Sequence, residues 1–215
     1  MYGFDSHRRQ MKELSTHKSP GQVWLEPLDS PLGGLIAGAD GNGIALLVFS
    51  DEAEEEPRGP ARRSSARPCP AALNSIQNLL PLLGGREAAW GSHPLLEQLK
   101  TELSEYFAGK RRDFDLPLDP SGSAFQQRVW KSLRRIPYGQ TESYAQLAAA
   151  TGNPAAFRAV AQANARNRII ILIPCHRVIA SGGGLGGYSG GLWRKEKLLS
   201  IEGIEIGKQG GRLSR

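Results

Sequence analysis

Cys175 and His176 stand side by side near the end of the apolar run IILIPCHRV, residues 170–178. Thiolate is the reactive form of cysteine, and at neutral pH it needs a base or local positive charge. A nearby histidine takes the thiol proton when a carboxylate orients it and stabilises its charged form. Glu196, Glu202 and Glu205 all follow, and spacing alone does not choose among them. An ordinary reading stands beside this one, because a lone Cys closing a buried strand is most often inert packing and a lone His most often structural. Neighbours on an extended chain point to opposite faces, so the pair predicts a relay in place of a direct Cys–His bond. The glycine-rich stretch SGGGLGGYSGG (Ser181–Gly191) comes next. Glycines let backbone approach a ligand closely, but no Walker pattern is present. The stretch therefore reads as a flexible wall of a Cys175 pocket, with Tyr188 and Ser189 as polar contacts. The two cysteines, Cys69 and Cys175, and the four histidines show no metal-ligand spacing, so no metal is expected.

Elements must hold these residues in place. Upstream lies TESYAQLAAATGNPAAFRAVAQANARN. Ser143 predicts a helix cap, with the helix running to Thr151 and Gly152 supplying a turn. Asn153 then caps a second helix, with Pro154 at its first position, ending near Ala165. Two short helices joined by a glycine turn form a helix-turn-helix signature, although an ordinary helical hairpin has the same pattern. Phe125, Val129, Leu133 and Ile136 mark an earlier amphipathic helix ended by PYGQ, and WRKEKLLSIEG (Trp193–Gly203) a last one. In the N-terminal half, VWLEPL, LIAGAD and IALLVF are separated by PLGG and GNG, which reads as hairpins of an antiparallel sheet. Leu95, Leu96, Leu99, Leu103, Tyr106 and Phe107 fall at helical spacing from about Pro94 to a stop at Gly109. DEAEEE followed by RGPARRSSARPCP has the bias of a flexible insertion, where a structural role for Cys69 is not expected. LPLDPSGS (Leu116–Ser123) reads as an interdomain linker.

A chain of 215 residues, 40% apolar and 22% charged, is globular and long enough for one large domain or two small ones. No apolar run approaches the roughly 18–20 residues of a membrane span. The first residues lack an apolar signal segment, so no secretory leader is expected. Two cysteines make no disulfide framework, and a reducing cytoplasm fits best. The net charge of +6 is unevenly divided: residues 121–215 hold 14 Lys/Arg against 4 Asp/Glu, and residues 1–120 hold 13 against 17. A basic half suits a polyanion such as DNA, since neutralising phosphates releases counterions, although many basic domains bind no nucleic acid.

Taken in order, NARN, PCHRV, GGYSGGL and LLSIEG resemble the O6-alkylguanine-DNA alkyltransferase family, the methylated-DNA–protein-cysteine methyltransferases. The resemblance runs from about Ser123 to Gly203, is fainter from Val23 to Phe49, and omits both tails and the insertion. It implies a ribonuclease-H-like α/β domain with an antiparallel sheet, over 21–115 with an insertion at about 51–75. A mainly α, winged-helix-like DNA-binding domain follows over 120–206, with flexible tails at 1–20 and 207–215. It implies Cys175 as alkyl acceptor, with His176 acting through a water, and Glu202 completing the relay. Asn167 would brace that network, and Tyr144 would press on the target phosphate and give a proton to the leaving guanine. Arg158 would enter the base stack from a helix whose Asn153, Ala156 and Ala159 lie at the DNA. Tyr188, Ser189, Val178 and Pro174 would line the base pocket. The partner would be double-stranded DNA carrying O6-alkylguanine, with O4-alkylthymine open as a second substrate. A monomer acting once and without a cofactor would suffice. Two Cys exclude the four-Cys zinc centre of some fused relatives. Phe157 departs from the small residues around it: facing the core it would change nothing, and facing DNA it would alter the docking depth. Three rivals remain: a binding module that only flips damaged bases, a winged-helix regulator with Cys175 as redox sensor, and a Cys–His hydrolase.

Overall fold

Three apolar runs separated by turn residues leave the first half of the chain little choice. The computed structural model describes residues 21–50, 76–207 and 212–213. β1 (Val23–Leu28), β2 (Leu35–Ala39) and β3 (Ile44–Phe49) form an antiparallel ladder. The second turn is built by Asp40, whose Oδ1 accepts from the backbone N–H of Asn42 at 2.8 Å and of Gly43 at 3.2 Å. Gly43 has a φ of 155°, and a Cβ there would stand 2.5 Å from the Pro117 carbonyl oxygen, so only glycine fits. β2 and β3 are buried at every position, because both faces of the sheet are covered. Leu79 and Leu83, in and just after the short α1 (Ile76–Leu79), pack one face with Val23, Leu25, Ile36 and Leu46.

β4 (Ala88–Trp90) joins β1 in parallel, giving the order β3-β2-β1-β4. The sheet is therefore mixed, not wholly antiparallel as expected; three residues are too few to show a period. α2 (Pro94–Phe107) starts on a cap in which His93 Nδ1 accepts from Leu95 N–H, and buries Leu96, Leu99, Leu103 and Tyr106 on the second face. Gly109, with a φ of 70°, follows its end.

The stretch expected to be a linker is instead laid along the edge of β3. Ile44 N–H donates to Pro117 O at 2.8 Å and Asp119 N–H to Ile44 O at 2.9 Å. Arg86 ties it further, bridging Asp40 at 3.1 Å and Asp119 at 2.8 Å. α3 (Ala124–Leu133) begins on a Ser123/Gln126 capping box, and its Trp130 Nε1 donates to Ala163 O. β5 (Glu142–Ser143) leads into α4 (Tyr144–Ala150), which has its own Ser143/Gln146 capping box. Gly152 turns the chain at a φ of 89°. Asn153 Oδ1 then caps one tight turn, Pro154–Ala156, before α5 (Phe157–Ala165). α4 and α5 form the expected helix-turn-helix.

The run ahead of Cys175 is not a strand. Only Ile169 bridges β3, through Leu47, whose N–H donates to Arg168 O and whose carbonyl accepts from Ile170 N–H. Asn167 then takes over neighbouring backbone groups, donating from Nδ2 to Ile173 O at 2.8 Å and accepting at Oδ1 from Ile169 N–H at 3.0 Å. The chain folds back, with Ile171 at a φ of 70°, and Cys175–Arg177 make one tight 3-10 turn. β6 (Val178–Ile179) pairs in parallel with β5, and α6 (Leu192–Ile201) closes the helical half. β7 (Ile206–Gly207) pairs with β8 (Arg212–Leu213), where a tail was expected. The expected tail at 1–20, the insertion and Cys69 lie outside the described residues. One apolar core runs through both halves, from Leu35, Leu47 and Leu99 to Val129, Leu133, Ile173 and Leu198. Each such side chain contributes about 1.5–3 kcal/mol on burial, and Cys175 sits where the halves meet.

Candidate active site

Glu202, at the C-terminal end of α6, is buried and surrounded by donors. Its Oε1 lies 2.8 Å from His176 Nε2, and accepts from Arg177 Nη2 at 2.9 Å and the Tyr106 hydroxyl at 2.9 Å. Its Oε2 accepts from Arg177 Nε at 2.8 Å and the Gly139 N–H at 3.1 Å. Burial opposes the carboxylate charge, but the hydrogen bonds and charges of His176 and Arg177 outweigh it and hold the carboxyl down at about 2. A carboxylate accepts only, so His176 donates from Nε2 and its Nδ1 carries the lone pair. Nδ1 is buried and has no hydrogen-bond partner in the protein. Burial also lowers the imidazole pKa, against the pull of Glu202. The ring is thus a neutral base with its accepting nitrogen free, and no direct bond joins it to the sulfur. Among the three carboxylates open by spacing, Glu202 is the partner, and Glu196 and Glu205 are exposed.

Cys175 is 1% exposed. Burial pushes its thiol pKa up, while the Asn167 amide and the Lys195 charge pull it down. Lys195 is wholly buried, and its Nζ donates to Val178 O at 2.5 Å, to Leu185 O, and to Gly187 O at 3.5 Å. It therefore fastens the glycine-rich stretch over the sulfur while placing a cation near it. Its own pKa falls to about 8 through burial, opposed by the attraction of Cys175. The stretch expected to be flexible is pinned here. Gly186 lies against the ring of Tyr144, where a Cβ would come within 3.2 Å of Cε2.

Tyr144, at the start of α4, is partly buried, and its hydroxyl donates to Gly187 O at a long 3.4 Å. Burial and the neighbouring Cys175 raise its pKa, and an Asn164 hydrogen bond lowers it. Tyr188 is buried with its hydroxyl beside the sulfur and without a hydrogen-bond partner. Pro174 and Val178 are buried next to them, and Ser189 is exposed one residue beyond. Asn167 braces the turn as described. Arg158, Ala159 and Asn153 are exposed, and Ala156 is half-buried, along the outer side of the helix-turn-helix. Phe157 is 48% exposed and does not enter the core; the Arg158 guanidinium lies 5.7 Å from its ring centroid.

Sequence reasoning missed Tyr106, Arg177, Lys195, Asn164 and Gly139. Arg177, inside PCHR, was the one with a local signal, a charge in an apolar run. A groove of about 630 Å³ beside Leu28, Leu103 and Phe107 contains none of the site residues. Among the described residues no three His, Cys, Asp or Glu side chains group to hold a metal ion, and no helix is long and apolar enough to cross a membrane.

Comparison with known proteins follows the same division. Residues 26–120 match the family described as 6-O-methylguanine DNA methyltransferase, ribonuclease-like domain, and residues 124–204 its DNA binding domain. The constitutive methylated-DNA–protein-cysteine methyltransferase of Bacillus subtilis is 54% identical over 112 residues, covering 52% of this chain and 68% of that protein. The methylated-DNA–protein-cysteine methyltransferase of Mycobacterium leprae is 39% identical over 184 residues, covering 86% and 94%. A crystal structure of Mycobacterium tuberculosis OGT in complex with DNA superposes with a TM-score of 0.62 at 35% identity, covering 84% of this chain and 92% of that one. With a thiol, a neutral imidazole and an ionised carboxylate set behind a helix-turn-helix, and with family matches over residues 26–120 and 124–204, the chain belongs to the 6-O-methylguanine-DNA methyltransferase family.

Proposed function

We propose that this protein repairs DNA by moving the alkyl group of O6-alkylguanine onto Cys175, once per molecule. The O6 atom lies inside the duplex, so the nucleotide has to be extruded into the protein. Arg158, exposed on the outer side of α5, fills the vacated place, and the neighbouring Asn153, Ala156 and Ala159 bring the backbone to the DNA. Entry requires Tyr144 and the stretch around Gly186–Gly187 to part, and the long hydrogen bond between them is the weak point. Tyr188, Ser189, Val178 and Pro174 form the walls around the base.

The thiol proton passes through a water to His176 Nδ1, and ionised Glu202 stabilises the imidazolium that forms. The sulfur lone pair forms the S–C bond as the C–O6 bond breaks, and the electron pair of that bond stays with the guanine. Tyr144 supplies the proton that the departing base takes up, and recovers one from the imidazolium through solvent. The product is a thioether, a bond that none of the side chains named here cleaves, so each molecule acts once. A thiol that has to stay reduced fits the cytoplasm, and a monomer contains every group used.

The observation that carries this reading is the free Nδ1 of a neutral His176 backed by Glu202 and one residue from the buried thiol. Incubation with an O6-methylguanine duplex, followed by peptide mass mapping, tests it. One methyl group per protein, on Cys175, is expected. Repeated turnover, or an adduct confined to Cys69, overturns it.

A further inference from the structure

Behind the PCHR turn, where the two halves of the chain meet, lies a cleft of about 120 Å³ that no step of the transfer uses. Leu116 gives it an apolar wall from one half and Leu172 from the other. Three arginines line it from three separate segments: Arg112 from the turn after α2, Arg134 from the end of α3, and Arg177 from the PCHR turn itself. Arg177 is 6% exposed. Its Nε and Nη2 donate to Glu202 and its Nη1 to Ile136 O, which spends three of the five N–H groups that a guanidinium carries. Two donors of a buried cation are left over beside the cleft. Arg112 and Arg134 are exposed, and neither forms an ion pair among the described residues. The Arg112 and Arg177 guanidiniums stand 5.6 and 5.9 Å from the centroid of one ring, that of Tyr138. Like charges gathered beside apolar walls repel strongly, and a bound anion offsets that repulsion. Asp113 also reaches the lining and is exposed, so water screens its opposing charge.

We propose that this cleft is a binding site for a phosphate group. Guanidinium forks match phosphate oxygens in pairs. Donors arriving from three segments suit a tetrahedral anion, whereas a single fork satisfies a planar carboxylate. The volume admits a phosphate group and excludes a nucleoside. Free phosphate and the DNA backbone both present this chemistry. Pro174 alone is common to the cleft and the proposed base pocket, and the site stands without the reading of Cys175 as acceptor.

The test follows the thermal unfolding midpoint of the full chain in low millimolar inorganic phosphate, with sodium chloride holding the ionic strength constant. The wild-type midpoint is expected to rise and saturate. Arg112→Gln combined with Arg134→Gln changes two exposed positions and should weaken the apparent affinity about tenfold or more. Arg128→Gln combined with Lys131→Gln removes the same charge from α3 outside the cleft, and should keep the wild-type response. General stabilisation by phosphate acts alike on all three proteins, so a rise that the cleft variant retains in full overturns the proposal. A second arm measures binding of an undamaged duplex by the same three proteins. A larger loss in the cleft variant than in the α3 variant assigns the site to a backbone phosphate; a saturable rise with equal duplex binding assigns it to free phosphate. No saturable rise together with equal duplex binding overturns the site altogether.

Discussion

The two ends of the site are held in opposite ways. At the carboxylate end, Glu202 takes five hydrogen bonds between 2.8 and 3.1 Å, drawn from α2, the PYG turn and the PCHR turn. At the substrate end, Tyr144 and Asn164 make contacts of 3.4 and 3.5 Å, and the buried Asn164 Oδ1 and Tyr188 hydroxyl are unpaired. Groups that handle the thiol proton are set before any substrate arrives. On the proposed reading, the groups that meet the base are the ones left incomplete. Preorganised electrostatics stabilise developing charge without reorganisation, and that requires rigidity at the carboxylate end only. The contrast also explains why Tyr106 of the N-terminal half reaches into the chemistry: that half supports the fixed end.

Removing the hub is the strongest way to break this contrast. Glu202→Ala leaves the Arg177 guanidinium and His176 buried without their acceptor, a loss of about 3–5 kcal/mol. The denaturant midpoint at pH 7 should fall accordingly, and transfer should fall with it. The carboxyl is depressed from 4.5 to about 2 in the folded state. Its contribution, about 3 kcal/mol, is therefore complete above pH 4.5 and lost as pH falls towards 2. Wild-type protein should lose stability across that window, and Glu202→Ala should show a flatter acid limb. A variant as stable as wild type at pH 7 would mean that the five hydrogen bonds hold nothing.

Much of this was legible in the chain, and the remainder failed for identifiable reasons. Ser143, and Asn153 with Pro154, marked out the helix-turn-helix because capping is a local interaction. The order of Cys175, His176 and the later glutamates pointed to the relay. The choice among Glu196, Glu202 and Glu205 depended on which one α6 buries, and that is tertiary. An apolar run such as residues 170–174 carries no period to separate a strand from buried turns; the Asn167 side chain, not the run, decides its shape. Tyr106 showed only its helical spacing, which locates the ring and says nothing of its hydroxyl. Lys195 sat in a helix among other charges, with no sign that it was the buried one.

At the open end, Tyr144→Phe separates chemistry from structure. The hydroxyl's contacts with Gly187 O, at 3.4 Å, and with the Asn164 amide hold little, so stability should change by less than about 1 kcal/mol. Loss of the proton donor should slow single-turnover methyl transfer about a hundredfold. Burial raises the Cys175 thiol pKa, so the rate should climb with pH through the neutral range in both proteins as thiolate forms. An unchanged rate would remove the phenol from the reaction and leave the open end as packing alone.

Arg158 lies beyond even that end, and the contrast is sharpest there. It is exposed, and its contact with the Phe157 ring is a weak surface one, so Arg158→Ala should leave unfolding unaltered. Base extrusion costs a few kcal/mol, which an inserted side chain partly offsets. Repair of an O6-methylguanine duplex should therefore fall about tenfold, while reaction with free O6-benzylguanine should proceed as in wild type. Phe157 bears on the same measurement. Half exposed next to Arg158, it interrupts the run of alanines on the outer side of α5 and has to be accommodated wherever that side meets the groove. Equal losses with duplex and free base would place Arg158 in the pocket's support and take the finger role away from it.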